Sequence, residues 1–257
     1  MFKCLKYELY KLTHSLTTII VFAFLSVYNL VWALFGTDYM CGFEHMQQYY
    51  GNSMLISVVL FSLFICCPEY RKRYVKNVYM QTNKFASVMA KFICALLFII
   101  SQIILTLIAF AILFDAKKIK WYEPTIMDGK KINTVGDYMG MFALMFYCFV
   151  AAAMMSIFFG SLTRYEFICI PIAIIYIAFI VIVLPDGFNS LARKITNGKN
   201  KFNFFNIFIY GILENLQSTS PHEYKGVVKT CAIVVPGVYL VISYLLTVLT
   251  VKKQKVK

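Results

Sequence analysis

Few residues in this chain are equipped for chemistry, and their spacing restricts what they can do. The three histidines, His14, His45 and His222, lie far apart in sequence, and the one local group of potential ligands is Glu44–His45 beside Cys41. A structural or catalytic metal needs three or four closely placed N, S or O donors, so no metal site is expected. The eight cysteines, at 4, 41, 66, 67, 94, 148, 169 and 231, form no C-x-x-C pair. Most fall inside apolar runs, where a thiol serves as a small apolar filler. Gly129-Lys130 and Gly198-Lys199 lack the upstream glycine and the following hydroxyl of a phosphate-binding loop. No nucleotide site, and no other cofactor, is therefore expected in this chain. With no G-x-S-x-G, no H-E-x-x-H and no carboxylate pair at helical spacing, the chain is not expected to be an enzyme.

The strongest concentration of charge is the stretch CCPEYRKRYVKNVYMQTNKFASVMAKF, Cys66 to Phe92, with Glu69 at its start and Arg71, Lys72, Arg73, Lys76, Lys84 and Lys91 after it. Pro68 ends an apolar run, and Glu69 follows at its water boundary. From Val75 to Ala90 the chain is polar but compatible with a helix. The expectation is a cytosolic loop over 69–90 containing a short helix that docks on a partner, against the plainer reading of a solvated positive loop. Lys far outnumbers Arg across the chain. Phosphate readers rely on the planar Arg fork, so nucleic acid is not an expected partner.

The elements that position this stretch follow from composition. The 257 residues are 60% hydrophobic and 14% charged, with 25 basic and 12 acidic residues and a formal charge of +13. A mean hydropathy of +0.71 and six apolar runs near 16–36, 50–68, 92–114, 139–162, 167–185 and 231–251 predict an all-α polytopic membrane protein with six transmembrane helices. Tyr49 and Tyr50 are expected as interface anchors of the second span. With both termini inside, the inner segments hold 14 basic and three acidic residues, and the first outer loop holds no Lys or Arg. This is the positive-inside bias, and it predicts an N-in, C-in arrangement.

Residues 1–14 read as an amphipathic helix in the inner interface. Phe2, Leu5, Leu9 and Leu12 recur at helical spacing among Lys3, Lys6 and Lys11, which implies contact with membrane lipid. The loop 115–138 is polar, external and without an evident fold. A second external loop, 186–230, contains KFNFFNIFIYGILENL (Lys201–Leu216), too interrupted by Asn203, Asn206 and Glu214 to span. It is read as an outer re-entrant or interfacial hairpin over 202–216 before the sixth helix. No run carries a charge in its interior, so an ion-coupled carrier is disfavoured: such carriers place Asp, Glu or His at depth to bind the ion.

The stretch EYRKRYVKNVYMQTNKFASVMAK (Glu69–Lys91) resembles the loop after the second helix of ABC-2 type permease subunits of small bacterial ABC exporters. Glu69 and Tyr70 stand at the start of that pattern, Val75, Lys76 and Asn77 match its I-K-N, Asn83 and Lys84 stand at its S-R, and Lys91 matches its final Lys. Arg73 and Tyr74 occupy its G-T positions. LKYELYKLTHS resembles the family's opening, with Glu8 and Lys11 as its E-x-x-K.

The resemblance implies a single permease domain over 1–257 in the cell membrane. It would pair with a second copy or a sister permease and with two cytosolic ABC ATPase subunits, which would hold ATP and Mg. It also implies a coupling relay. One part is the N-terminal helix, with Phe2, Leu5, Glu8, Leu9 and Lys11. The other is the segment Glu69, Tyr70, Arg71, Lys76, Asn77, Val78, Tyr79, Asn83, Lys84 and Phe85. The substrate path would run between two permeases along their second and fifth spans, where this chain offers Phe61, Phe64, Tyr176 and Phe179. Aromatic, uncharged walls suit an amphipathic or hydrophobic cargo, and the resemblance is nearest to exporters of antimicrobial or toxin peptides of the bacitracin-resistance and phenol-soluble-modulin type. Lipid-like or drug-like cargo is the runner-up, and a non-transporting membrane anchor for a cytosolic partner is the rival class.

Overall fold

An uncharged stretch can cross an apolar medium only if its own backbone satisfies every N–H and C=O group, which a helix does. The computed structural model describes residues 2–34, 41–66, 84–123, 125–127, 130–162, 171, 184–195, 204–219 and 227–253. Its helices are α1 (Phe2–His14), α2 (Leu16–Leu34), α3 (Gly42–Cys66), α4 (Lys84–Lys117), α5 (Val135–Leu162), α6 (Leu184–Ile195), α7 (Ile209–Ser218) and α8 (Val227–Lys253). Among the described residues, α2, α3, α4, α5 and α8 are long and apolar enough to cross a membrane. This is the architecture of a polytopic helical membrane protein. The expected fifth span, 167–185, falls outside the described residues except for Pro171 and the start of α6.

Contacts define two ends of the bundle. At one end, the Lys11 ammonium of α1 donates to the Ile65 carbonyl at the close of α3, Gly160 of α5 lies against Cys66, and Phe85 at the start of α4 meets Tyr244 of α8 with ring centroids 5.3 Å apart. At the other end, His45 of α3 bonds the Ala33 carbonyl of α2 at 2.9 Å, and Phe43 packs on Tyr138 of α5. Both α5 and α8 therefore run toward the α1 end.

The sequence places the second span at 50–68, yet α3 starts at Gly42. Several polar groups of its first turns find partners in distant segments. The Gly42 and Phe43 amides donate to the carbonyls of Lys120 and Trp121, satisfying N–H groups that a helix start leaves open. Gln47 Nε2 donates to the carbonyls of Leu216 (2.6 Å) and Thr219 (3.0 Å) at the close of α7. Tyr49 and Tyr50 are not interface anchors: both are buried in a ring cluster with Phe110.

The third span also differs. α4 is 34 residues long, about 50 Å, against a hydrocarbon core of about 30 Å. Residues 84–90, expected in the cytosolic loop, are its first turns, with Ser87, Val88 and Ala90 buried. The helix stops at a left-handed Lys118 (φ 54°). There Ile119 N–H bonds Phe114 O and Lys118 N–H bonds Asp115 O, the paired bonds of a Schellman ending.

Loop 115–138 does have structure. Thr125–Met127 pairs antiparallel with Lys130–Ile132. Thr134 and Asp137 then form a reciprocal cap at the start of α5, with the Asp137 carboxylate accepting from the Thr134 amide (2.9 Å) and hydroxyl (2.7 Å).

In the 186–230 loop the described parts are α6, a 3-10 turn at Phe204–Ile207, and α7. With 10 residues, α7 extends about 15 Å, half a bilayer core, and does not cross it. Ile209, Ile212, Leu213 and Leu216 are buried where α7 packs on α3 and α5.

Candidate functional site

The helix α1 is the first element of the expected relay, and its seat is unusual. Helical spacing predicts that Phe2, Leu5, Leu9 and Leu12 form its apolar face. Leu5, Leu9 and Leu12 do pack against the core, but Phe2 is 88% exposed. The most deeply buried positions are Cys4 and Glu8, with Glu8 only 3% exposed. The Glu8 carboxylate lies 3.6 Å from the Lys11 ammonium, which donates onward to Ile65 O at 3.2 Å. A cation at the last turn of α3 offsets the partial negative charge of that helix end. The E-x-x-K pair thus ties α1 to the end of α3, while α1 also packs on α4 and its Leu9 and Leu12 line a crevice together with Cys94 of α4. Lys91, one turn before Cys94 on α4, is buried as well.

These contacts surround the place where the basic segment joins the bundle. α3 ends at Cys66 and α4 begins at Lys84, so α1, tied to the end of α3 and packed on α4, sits on the two helices that flank the intervening segment. Glu69, Tyr70, Arg71, Lys76, Asn77, Val78, Tyr79 and Asn83 lie outside the described residues. Lys84 and Phe85 are inside α4. The Phe85 ring meets Tyr244 of α8 edge-on and is still 48% exposed.

Of the expected path residues, Tyr176 and Phe179 lie outside the described residues. Phe61 is buried, stacked on Phe98 of α4 at 3.9 Å and met edge-on by Phe22 of α2 at 6.2 Å. Phe64 is half-buried. The Phe22–Phe61–Phe98 cluster forms the floor of a crevice of about 480 Å³ between α1, α2, α3 and α4. The volume is in the range of small-molecule sites, but the walls are apolar. The crevice hydroxyls of Thr13 and Ser101 bond carbonyls of their own helices.

In the sequence the buried amides and hydroxyls look scattered. Four of them form one seam. Asn29 Nδ2 donates to Gln102 Oε1 (3.0 Å), Ser57 Oγ donates to Asn29 Oδ1 (2.5 Å), and Gln102 Nε2 donates to Ser26 Oγ (2.9 Å). Tyr50 and Thr106 share a further bond at 2.9 Å. All are buried and uncharged, so the seam binds α2, α3 and α4 into one unit, the usual role of polar groups between membrane helices. Helical spacing alone puts Ser26 and Asn29 on one face of α2, and that is the signal the sequence offers; their partners lie 28 to 76 residues away.

The Cys41–Glu44–His45 group does not assemble a ligand set. His45 is spent on Ala33 O and is enclosed by Phe110 and Phe114. Burial pushes the Cys41 thiol above its ordinary range, which leaves it a poor nucleophile. Among the described residues no group of three or more His, Cys, Asp or Glu side chains is placed to hold a metal. The chain matches no protein-family model, and no curated protein matches it in sequence.

Proposed function

We propose that the chain is the transmembrane subunit of an ATP-driven exporter of the ABC-2 permease type, located in the cell membrane. It pairs with a second permease and with two cytosolic ATPase subunits, and its cargo is an amphipathic or hydrophobic molecule such as an antimicrobial or toxin peptide. The observation that carries this reading is the seat of α1. Its Glu8–Lys11 pair sits at the end of α3, and the helix also packs on α4. Those are the two helices that a partner gripping residues 69–83 would push. No charge interrupts residues 92–114, so the chain offers no coupling-ion site there, and the energy for uphill movement arrives from outside it. Glu69→Gln keeps the side-chain shape and removes the charge. Co-purification with the ATPase is expected to persist, while ATP turnover stops responding to cargo and export falls. Val78→Ala with Tyr79→Ala is expected to weaken co-purification, because apolar anchors dominate docking. Wild-type assembly, turnover and export in both variants would remove the transporter reading.

The same reading includes six spans with both termini in the cytosol. That α5 and α8 both run toward the α1 end, with the apolar run 167–185 between them in the sequence, supports a sixth span. In a cysteine-free background, a cysteine at Asn200 is expected to react with an impermeant reagent on intact cells and one at Gln254 is not. Labelling at 254 contradicts this topology.

A further inference from the structure

The crevice beside α1 adjoins a recess that is lined by a cation, Lys6. A second recess of about 440 Å³ runs along the helix past Phe2, Leu5, Lys6 and Tyr10 and shares Leu9 and Thr13 with the 480 Å³ crevice. Lys3 and Lys6 are exposed on α1. Glu8, the one acid of α1, is buried beside Lys11. The charge that α1 presents outward is therefore positive. Along α4 the crevice extends from Cys94 to Ser101, about 10 Å of helix, which fits inside one leaflet of a bilayer about 30 Å thick. The Thr13 and Ser101 hydroxyls are turned back on their own helices, and most of the remaining lining is apolar side chain, so the interior offers mainly hydrocarbon contact.

We infer that this crevice and the recess beside it bind an anionic phospholipid, with one acyl chain between α1, α2 and α4 along Phe22, Phe61 and Phe98 and the phosphate against Lys6, with the exposed Lys3 one helical turn away on α1. The bound chain fills the space under α1 and so supports its seat on α3 and α4. The inference needs only that α2 and α4 lie in a bilayer, and it stands whether or not the chain serves a transporter.

The test uses the full chain in nanodiscs, with Trp32→Phe and Trp121→Phe and a single reporter, Phe22→Trp, or Ile19→Trp if the first variant folds poorly. Dibromo-acyl phosphatidylglycerol and dibromo-acyl phosphatidylcholine are compared as quenchers at equal bromine content. Quenching is expected to favour the brominated phosphatidylglycerol, by roughly fivefold in occupancy for each lysine. The preference is expected to vanish in Lys3→Gln/Lys6→Gln. A reporter at Val238, exposed on α8, is expected to show no preference. Equal quenching by both lipids at position 22 would mean unselected bulk lipid and would overturn the proposal. So would no quenching there while Val238→Trp is quenched, since the crevice would then be held by protein or closed to lipid.

Discussion

Glu8→Ala is expected to destabilise the protein by about 3 kcal/mol, the scale on which removing one member of a buried ion pair leaves the other charge uncompensated. Lys11 is half-buried, with its ammonium between the Glu8 carboxylate and the Ile65 carbonyl. Without the carboxylate, the ammonium keeps the carbonyl contact but loses the charge 3.6 Å away in a partly dehydrated site. Glu8→Leu with Lys11→Met together is expected to cost much less, because both charges leave and apolar bulk remains. Thermal unfolding of the detergent-solubilised protein, read for the single and the double variant, checks this. Equal losses in the two would show that α1 is held by its leucines alone. Under the transporter reading, the double variant is also expected to fold and yet lose coupling between ATP turnover and cargo.

Gly160→Val is expected to disturb the bundle more than any other glycine substitution on α5. A Cβ at 160 would stand 2.8 Å from Cys66 Cβ and 3.1 Å from the Leu63 carbonyl oxygen. The second contact is backbone, which has no rotamer to change. The helices α3 and α5, which pack along one another, would have to separate. Overpacking by one or two methyl groups usually costs about 1–3 kcal/mol, and a branched side chain against backbone falls at the upper end. At Gly140, on the same helix, an added Cβ would meet nothing within 4 Å. Gly140→Ala is therefore expected to be neutral or to stabilise by a few tenths of a kcal/mol, through the better helix propensity of alanine. Unfolding temperatures of the two variants separate close packing from propensity. A Gly160→Val protein as stable as Gly140→Ala would show that the α3–α5 approach is looser than these distances.

The spans are legible in the amino-acid order where burial depends on the segment alone. Residues 16–36, 92–114, 139–162 and 231–251 are apolar at every turn, and the described residues of each lie on α2, α4, α5 and α8 in turn. An apolar run of that length must satisfy its backbone internally, whatever its neighbours are. The same holds for the helical character of α1, whose leucine spacing is local, and for the inability of Lys201–Leu216 to cross, which follows from its interruptions. Tertiary structure decided whatever needed a distant partner. At the polar start of α3, Gln47 meets α7, 169 residues on, and Lys120 and Trp121 carbonyls receive the first amides. Phe61, expected on a path between two copies, instead faces Phe98 and Phe22 within one chain. Glu8 is a charge on a helix whose leucine spacing is local, yet it is buried, with Lys11 3.6 Å away and that ammonium itself held by a carbonyl 54 residues on. Local periodicity records which residues are apolar; it does not record which carbonyl or carboxylate will arrive from another helix to make burial of a polar group tolerable.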